Sequence, residues 1–287
     1  MAATLVSVIY GVTFTIAKDV MPEFIEPFGF ILLRVGGSVV LFWMVSFFGP
    51  KERISTADFP RIIAAAFFGV ALNMLMFFKG LSYTSPIMGA VLMVTTPMIV
   101  LILSAIIIKE RMMKRKVFGI ILGLAGTVSL ILYGKSLINA PNEMLGNLLV
   151  FTNAISYGFY LIIVKKLMDK YNAFTFVKWI YSFGFLMVLP FGWNEFNAVN
   201  WNIIPTDIYW KIGFIVIFST FLTYLLNLVS MRELKPTTVA VFIYLQPVFA
   251  TIFAISLGKD ALSWVKIGSA ILIFTGVYLV TQKKSVQ

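Results

Sequence analysis

The chain has 287 residues, of which 60% are hydrophobic and only 12% charged, with a net charge of +11 and a mean hydropathy of +0.95. Soluble domains carry about 25% charge, so this balance excludes one and points to a bilayer, where each helical crossing takes about 20 apolar residues. Cysteine and histidine are absent, which removes disulfides and thiolate metal sites and, with histidine, the usual general base.

Hydropathy predicts ten helices, over residues 3–18, 27–48, 60–79, 85–108, 115–133, 144–165, 173–191, 208–231, 236–257 and 264–282. The first begins almost at Met1 and lacks a basic leader or a cleavage site before Lys18, so it reads as a retained span. Its abrupt start fits a chain missing a few charged residues ahead of it. The connectors are short except for 192–205, whose Trp193 and Trp201 suit a membrane interface. Even-numbered connectors and the tail hold 15 Lys and Arg against 6 in the odd-numbered ones. By the positive-inside rule both termini are cytoplasmic, and the basic run at 109–116 is the strongest anchor. The basic residues lie between apolar runs rather than along one face, which argues against nucleic acid as a partner.

The pattern repeats. At an offset of 150, Pro86 meets Pro236, Ala90 meets Ala240, Pro97 meets Pro247 and Gly126 meets Gly276. Near an offset of 147, Tyr10-Gly11 meets Tyr157-Gly158 and Lys18 meets Lys165. The chain therefore reads as two five-span halves, residues 1–138 and 139–287. An odd number of crossings makes the second half enter from the opposite side, which gives inverted repeats around a midplane site. The expected fold class is an all-α integral membrane protein with ten transmembrane helices as two inverted five-helix repeats.

The run from Leu81 to Leu132, "LSYTSPIMGAVLMVTTPMIVLILSAIIIKERMMKRKVFGIILGLAGTVSLIL", resembles the EamA-like module of the drug/metabolite transporter superfamily. "YGVTFTIAKDVMP" and "FILLRVGGSVV" resemble its first two spans, and "VAVFIYLQPVFATIFAISLGKDALSWVKIGSAILIFTGVYLV" its second copy. The resemblance covers nearly the whole chain. It implies a transporter in which spans 1–4 and 6–9 enclose a central cavity and spans 5 and 10 pack outside it. Two departures stand out: Glu110-Arg111 becomes Asp260-Ala261 in the second copy, and the Glu often found before the second proline is Gln246. The expected function is movement of small metabolites, amino acid-like or other small organic solutes, by alternating access in the export direction. The alternative is a channel-like facilitator, with a non-transporting membrane protein or a membrane enzyme further behind.

Polar residues inside spans are the candidates for binding, each against a structural alternative. Pro97 and Pro247 remove a backbone donor and free a carbonyl; they read as hinges or as kinks that fit the bundle. Thr95, Thr96 and Gln246 are placed to satisfy the freed carbonyls or to bind solute. Arg34 lies seven residues beyond Pro27, roughly 10 Å deep, and meets either a solute anion or an anchoring carbonyl cluster. Asn73, Asn153, Thr223 and Asn227 either converge on the axis or bond neighbouring helices. Tyr157 shares a face with Asn153 and Ser156, and Tyr244 is a candidate for an aromatic wall. Every Asp and Glu falls in a connector or near a helix end, which leaves no midplane acid for proton coupling and no paired groups for catalysis. The Gly119-x-x-x-Gly123 pattern serves packing within a monomer or, as a minority option, a homodimer. No cofactor or metal is expected; the partners are a small-molecule solute and the lipid bilayer. The short loops fit a prokaryotic cytoplasmic membrane.

Overall fold

The computed structural model describes residues 1–84, 86–133, 142–256 and 262–282. The Asp260-Ala261 departure, Lys259 and the expected boundary near 138 lie outside the described residues. Within them all regular structure is helical. We name the helices α1 Ala2–Val20, α2 Pro27–Ser46, α3 Thr56–Tyr83, α4 Pro86–Met93 with Thr96–Ile107, and α5 Lys114–Leu132. The rest are α6 Glu143–Met168, α7 Ala173–Asn197, α8 Thr206–Ser230, α9 Pro236–Ser256 and α10 Trp264–Thr281. Among the described residues nine helices, α2 to α10, are long and apolar enough to cross a membrane by length and composition. The apolar stretch of α1, Ala2–Thr13, is shorter.

The helices pack in a definite pattern. α2 lies along α7, α5 along α10, and α4 touches α9; α1 packs on α8 and α9, α6 on α3 and α4, and α2 and α3 reach α8 and α7 respectively. The α5–α10 seam is closed by glycine. A Cβ on Gly276 would lie 2.5 Å from the Gly119 carbonyl, and one on Gly126 would lie 2.8 Å from that of Ser269. Side chains there would hold the backbones apart. The glycine stripe of α5 is thus occupied by α10 of the same chain.

The α2–α7 pair runs antiparallel, and each helix start is closed by a glutamate, one from the last turns of α7 and one from the connector that follows α2. Pro27 opens α2, where its missing N–H is no loss. Glu195 Oε2 then accepts from the Phe28 and Gly29 amides at 2.6 and 2.9 Å. At the other end Glu52 Oε2 accepts from the Asn172 amide at 2.8 Å and from Thr175 Oγ1 at 2.7 Å. A carboxylate at a helix N-terminus meets both orphan donors and the positive end of the dipole. This explains why α7 runs to Asn197, six residues beyond the sequence-based end at 191. Pro190 does not stop it, and the added turns carry Glu195 to its cap.

Two further ties join connectors to distant helices. Asp58 meets Lys170 and also accepts from Tyr171 Oη at 2.7 Å. The hydrogen bond to Asp58, joined by one with Tyr171, holds the Lys170 amine above its ordinary pKa. Glu110 is buried, accepting from Lys116 Nζ at 2.6 Å through one oxygen and from Thr237 Oγ1 at 3.0 Å through the other. That cluster ties the α4–α5 connector to the first turn of α9.

Both prolines sit at breaks. In α4 the helix pauses at Val94 and Thr95. Thr96 Oγ1 donates to the Met93 carbonyl at 2.5 Å, the acceptor that Pro97 deprives of its helical partner, and Thr95 Oγ1 donates to Leu92 at 2.6 Å. In α9 a tight turn over Phe242–Tyr244 precedes Pro247. There the Phe242 carbonyl receives Ser7 Oγ of α1 at 2.7 Å.

Candidate functional site

α3 and α8 each widen by a π-helical stretch, Phe67–Ala71 in one and Ile215–Leu222 in the other. A π turn shifts the carbonyl ladder by one residue and leaves acceptors out of register, which is why such turns collect side-chain donors and occur at functional sites. Here Thr220 Oγ1 donates to the Ile215 carbonyl at 2.9 Å, Tyr224 Oη to that of Gly69 at 3.0 Å, and Ser156 Oγ to that of Phe68 at 2.6 Å. Gly69 is required by proximity. A Cβ there would fall 2.1 Å from the Tyr160 ring.

Arg34 reaches this wall. Its Nε donates to Thr220 Oγ1 at 3.0 Å, and its guanidinium lies 5.9 Å from the centre of the Phe30 ring. Among the described residues no carboxylate pairs with it. Tyr10, Tyr224 and Tyr181 stand near it. Thr223 Oγ1 donates to the Ser219 carbonyl at 2.7 Å and lies 3.2 Å from Tyr10 Oη. Tyr157 lies near Tyr10 and Tyr224. The Tyr181 and Tyr224 rings meet edge to face at 5.1 Å, and Tyr157 stacks on Tyr160 at 5.9 Å.

Of the residues singled out in the sequence, Arg34, Tyr157 and Thr223 thus gather around Tyr10 and the π stretch of α8. Asn227 lies one turn beyond Thr223 on the same face, is buried, and makes no side-chain hydrogen bond among the described residues. Gln246 is half-buried with its amide similarly unpartnered, and its carbonyl packs against Gly11, next to Tyr10. Asn73 and Asn153 join α3 to α6 instead. Asn153 Nδ2 donates to the Asn73 carbonyl at 2.7 Å and Asn73 Nδ2 returns at 3.5 Å, leaving Asn153 Oδ1 without a partner. Thr95 and Thr96 are turned onto their own helix. Tyr244 packs on α5, where a Cβ on Gly123 would lie 2.3 Å from its ring.

Sequence reasoning missed Tyr10, Thr220 and Tyr224 as site residues. Tyr10 was within reach, because it pairs with Tyr157 in the repeat. The run Thr220, Thr223, Tyr224, Asn227 has i, i+3, i+4, i+7 spacing, one polar face in an otherwise apolar helix. The π stretches carry no such mark. Two surface hollows, one bounded by Met112, Lys114, Arg115 and Phe118 and the other by Leu189, Pro190, Trp193 and Asn194, share no residue with this centre.

Comparison with known proteins bears on the whole chain. The model of the EamA-like transporter family matches residues 1–132 and 144–282. An uncharacterized transporter of Archaeoglobus fulgidus is 27% identical over 277 residues, covering 96% of this chain and 95% of that protein. The uncharacterized transporter YyaM of Bacillus subtilis is 26% identical over 274 residues, covering 94% and 89%. A crystal structure at 16% identity superposes with a TM-score of 0.79 over 98% of this chain and 95% of its own, a likeness of fold. With nine helices among its described residues long and apolar enough to cross a membrane, the protein is a multi-pass membrane protein. Matched along almost its entire length, the chain belongs to the EamA-like transporter family.

Proposed function

We propose that the protein carries small organic solutes across the membrane by alternating access, with α1 as a tenth crossing and residues 1–138 and 139–287 as inverted five-helix repeats. Both termini are cytoplasmic, and the membrane is a prokaryotic cytoplasmic membrane. The supporting observation is an exchange symmetry in the packing. Replacing each helix by the one five places on turns α1–α8 into α6–α3, α1–α9 into α6–α4 and α2–α8 into α7–α3, while α2–α7, α4–α9 and α5–α10 map onto themselves. The π stretches follow the same rule: Phe67–Ala71 advanced by 150 falls inside Ile215–Leu222. Two halves related in this way can exchange conformations around a fixed centre, opening it to each side in turn. The central site is formed by Arg34, Tyr10, Tyr157, Thr223, Asn227 and Gln246. Pro97 and Pro247 are the hinges.

The test is counterflow in proteoliposomes. A carrier preloaded with unlabelled solute accelerates uptake of the labelled solute, and Arg34→Gln and Asn227→Leu abolish this with the protein still folded. Uptake indifferent to preloading contradicts the carrier reading, as does a folded protein that moves nothing from a broad solute panel.

A further inference from the structure

Arg34 is held by one nitrogen only. Its Nε bonds Thr220, while Nη1 and Nη2 have no hydrogen-bond partner among the described residues and are not sealed by packing. A cation deep in a bundle is costly and ordinarily pairs with an acid or with backbone carbonyls. Here the compensation comes from one hydroxyl and the Phe30 ring. The hydroxyl's role is directional: Thr220 gives its proton to the Ile215 carbonyl, so its lone pair faces Nε and fixes the plane of the guanidinium. The two free nitrogens present a rigid planar fork, the geometry that binds a carboxylate through two parallel N–H···O bonds.

Charge counting narrows the solute. Near the fork stand Tyr10, Tyr181 and Tyr224, with Thr223 and Tyr157 beside Tyr10, all neutral. Among the described residues no carboxylate and no second cation reaches them. One positive charge is matched by one negative charge. A phosphomonoester brings about −1.5 to −2 and leaves an excess, an amine is repelled, and an amino acid has no acid to receive its ammonium group. The tyrosine rings offer apolar faces with polar rims. Resting on the proposal that this centre is the transport site, we infer that its solute class is a small monocarboxylate with an aromatic or apolar body. The carboxylate sits on Nη1 and Nη2 of Arg34 and the body lies among the tyrosines.

A series with one body and different heads tests this: 3-phenylpropionate, its amide, 3-phenylpropylamine, phenylalanine and 2-phenylethyl phosphate, titrated calorimetrically into the purified full-length protein at pH 7. The acid is expected to bind at least about tenfold more tightly than each of the others. Arg34→Gln removes that preference, and Arg34→Lys, a point charge without a fork, keeps only part of it. Equal binding of acid and amide overturns the inference. So do tighter binding of the amine, amino acid or phosphate, a preference that survives Arg34→Gln, and failure of all five to bind. The wild-type ranking decides even where a variant does not fold. Counterflow with the same compounds separates the two claims. Transport of the amine or of phenylalanine without preference for the acid leaves a carrier of another class. Preferential acid binding without counterflow leaves the site assignment and removes the carrier reading.

Discussion

The two proline breaks start from the same sequence device and are held in different ways. At Pro97 the freed Met93 carbonyl is taken by Thr96 of the same turn, so the break is satisfied from within α4. At Pro247 the residue equivalent to Thr96 is Gln246, whose side chain has no partner among the described residues; the Ile243 carbonyl that Pro247 frees and the Phe242 carbonyl beside it both accept from the Leu245 amide, and Phe242 also receives Ser7 of α1. Ser7 has Ala154 as its counterpart in the repeat. Two more holds come from outside: Glu110 on Thr237 at the start of α9, and Gly11 of α1 against the backbone at Gln246 and Ala250. A near-repeated sequence thus gives one break that is complete in itself and one that depends on other helices. The second is coupled to α1, which also carries Tyr10 of the proposed site.

The strongest way to break this contrast is Glu110→Gln. It strips Lys116 of its charge partner in a buried setting, where removing one member of an ion pair costs roughly 3 to 5 kcal/mol. The thermal unfolding midpoint in detergent is expected to fall accordingly, and the purified protein to lose its central binding as α9 loosens. Next comes glycine. A Cβ on Gly11 would press on backbone, 2.9 Å from the Ala250 nitrogen and 3.0 Å from the Gln246 carbonyl, whereas one on its counterpart Gly158 would meet the tip of Leu103 at 2.9 Å. Gly11→Ala is therefore expected to cost about 1 to 3 kcal/mol and Gly158→Ala less than about 1. Equal midpoints for the two variants would remove the asymmetry.

Smaller effects sharpen it. Thr96→Val leaves the Met93 carbonyl unpaired at about 1 to 2 kcal/mol, and Ser7→Ala removes the second donor from the Phe242 carbonyl, which keeps the Leu245 amide, at about 0.5 to 1.5 kcal/mol. The two differ in reach. Thr96→Val is confined to α4, while Ser7→Ala weakens the α1–α9 contact and is expected to slow counterflow more at the same loss of stability. If Thr96→Val slowed it equally, the two breaks would be equivalent.

Much of this arrangement was legible in the residues. Hydropathy placed the helices, with α7 extended because a glutamate near its end serves the start of α2, a long-range contact that no local pattern encodes. The prolines and their neighbouring polar residues were visible, including the option that Thr95 and Thr96 satisfy freed carbonyls. The π stretches were not, because "FFGVA" and "IVIFSTFL" are as apolar as any α-helical run. Their width comes from packing, as Tyr160 over Gly69 illustrates. With them went the reason Thr220 and Tyr224 matter. Tyr244 looked equivalent to the other tyrosines until Gly123 was found beneath its ring.

The claim beneath all of this is that the two halves face opposite ways, and the absence of cysteine from the chain makes it directly measurable. Single cysteines at the exposed positions Lys114, Asn142, Lys170, Asn200 and Arg232 can be labelled with a membrane-impermeant maleimide in oriented vesicles. The account expects 114, 170 and 232 to react from the cytoplasmic side and 142 and 200 from the other. Positions 114 and 170 reacting from opposite sides would contradict it.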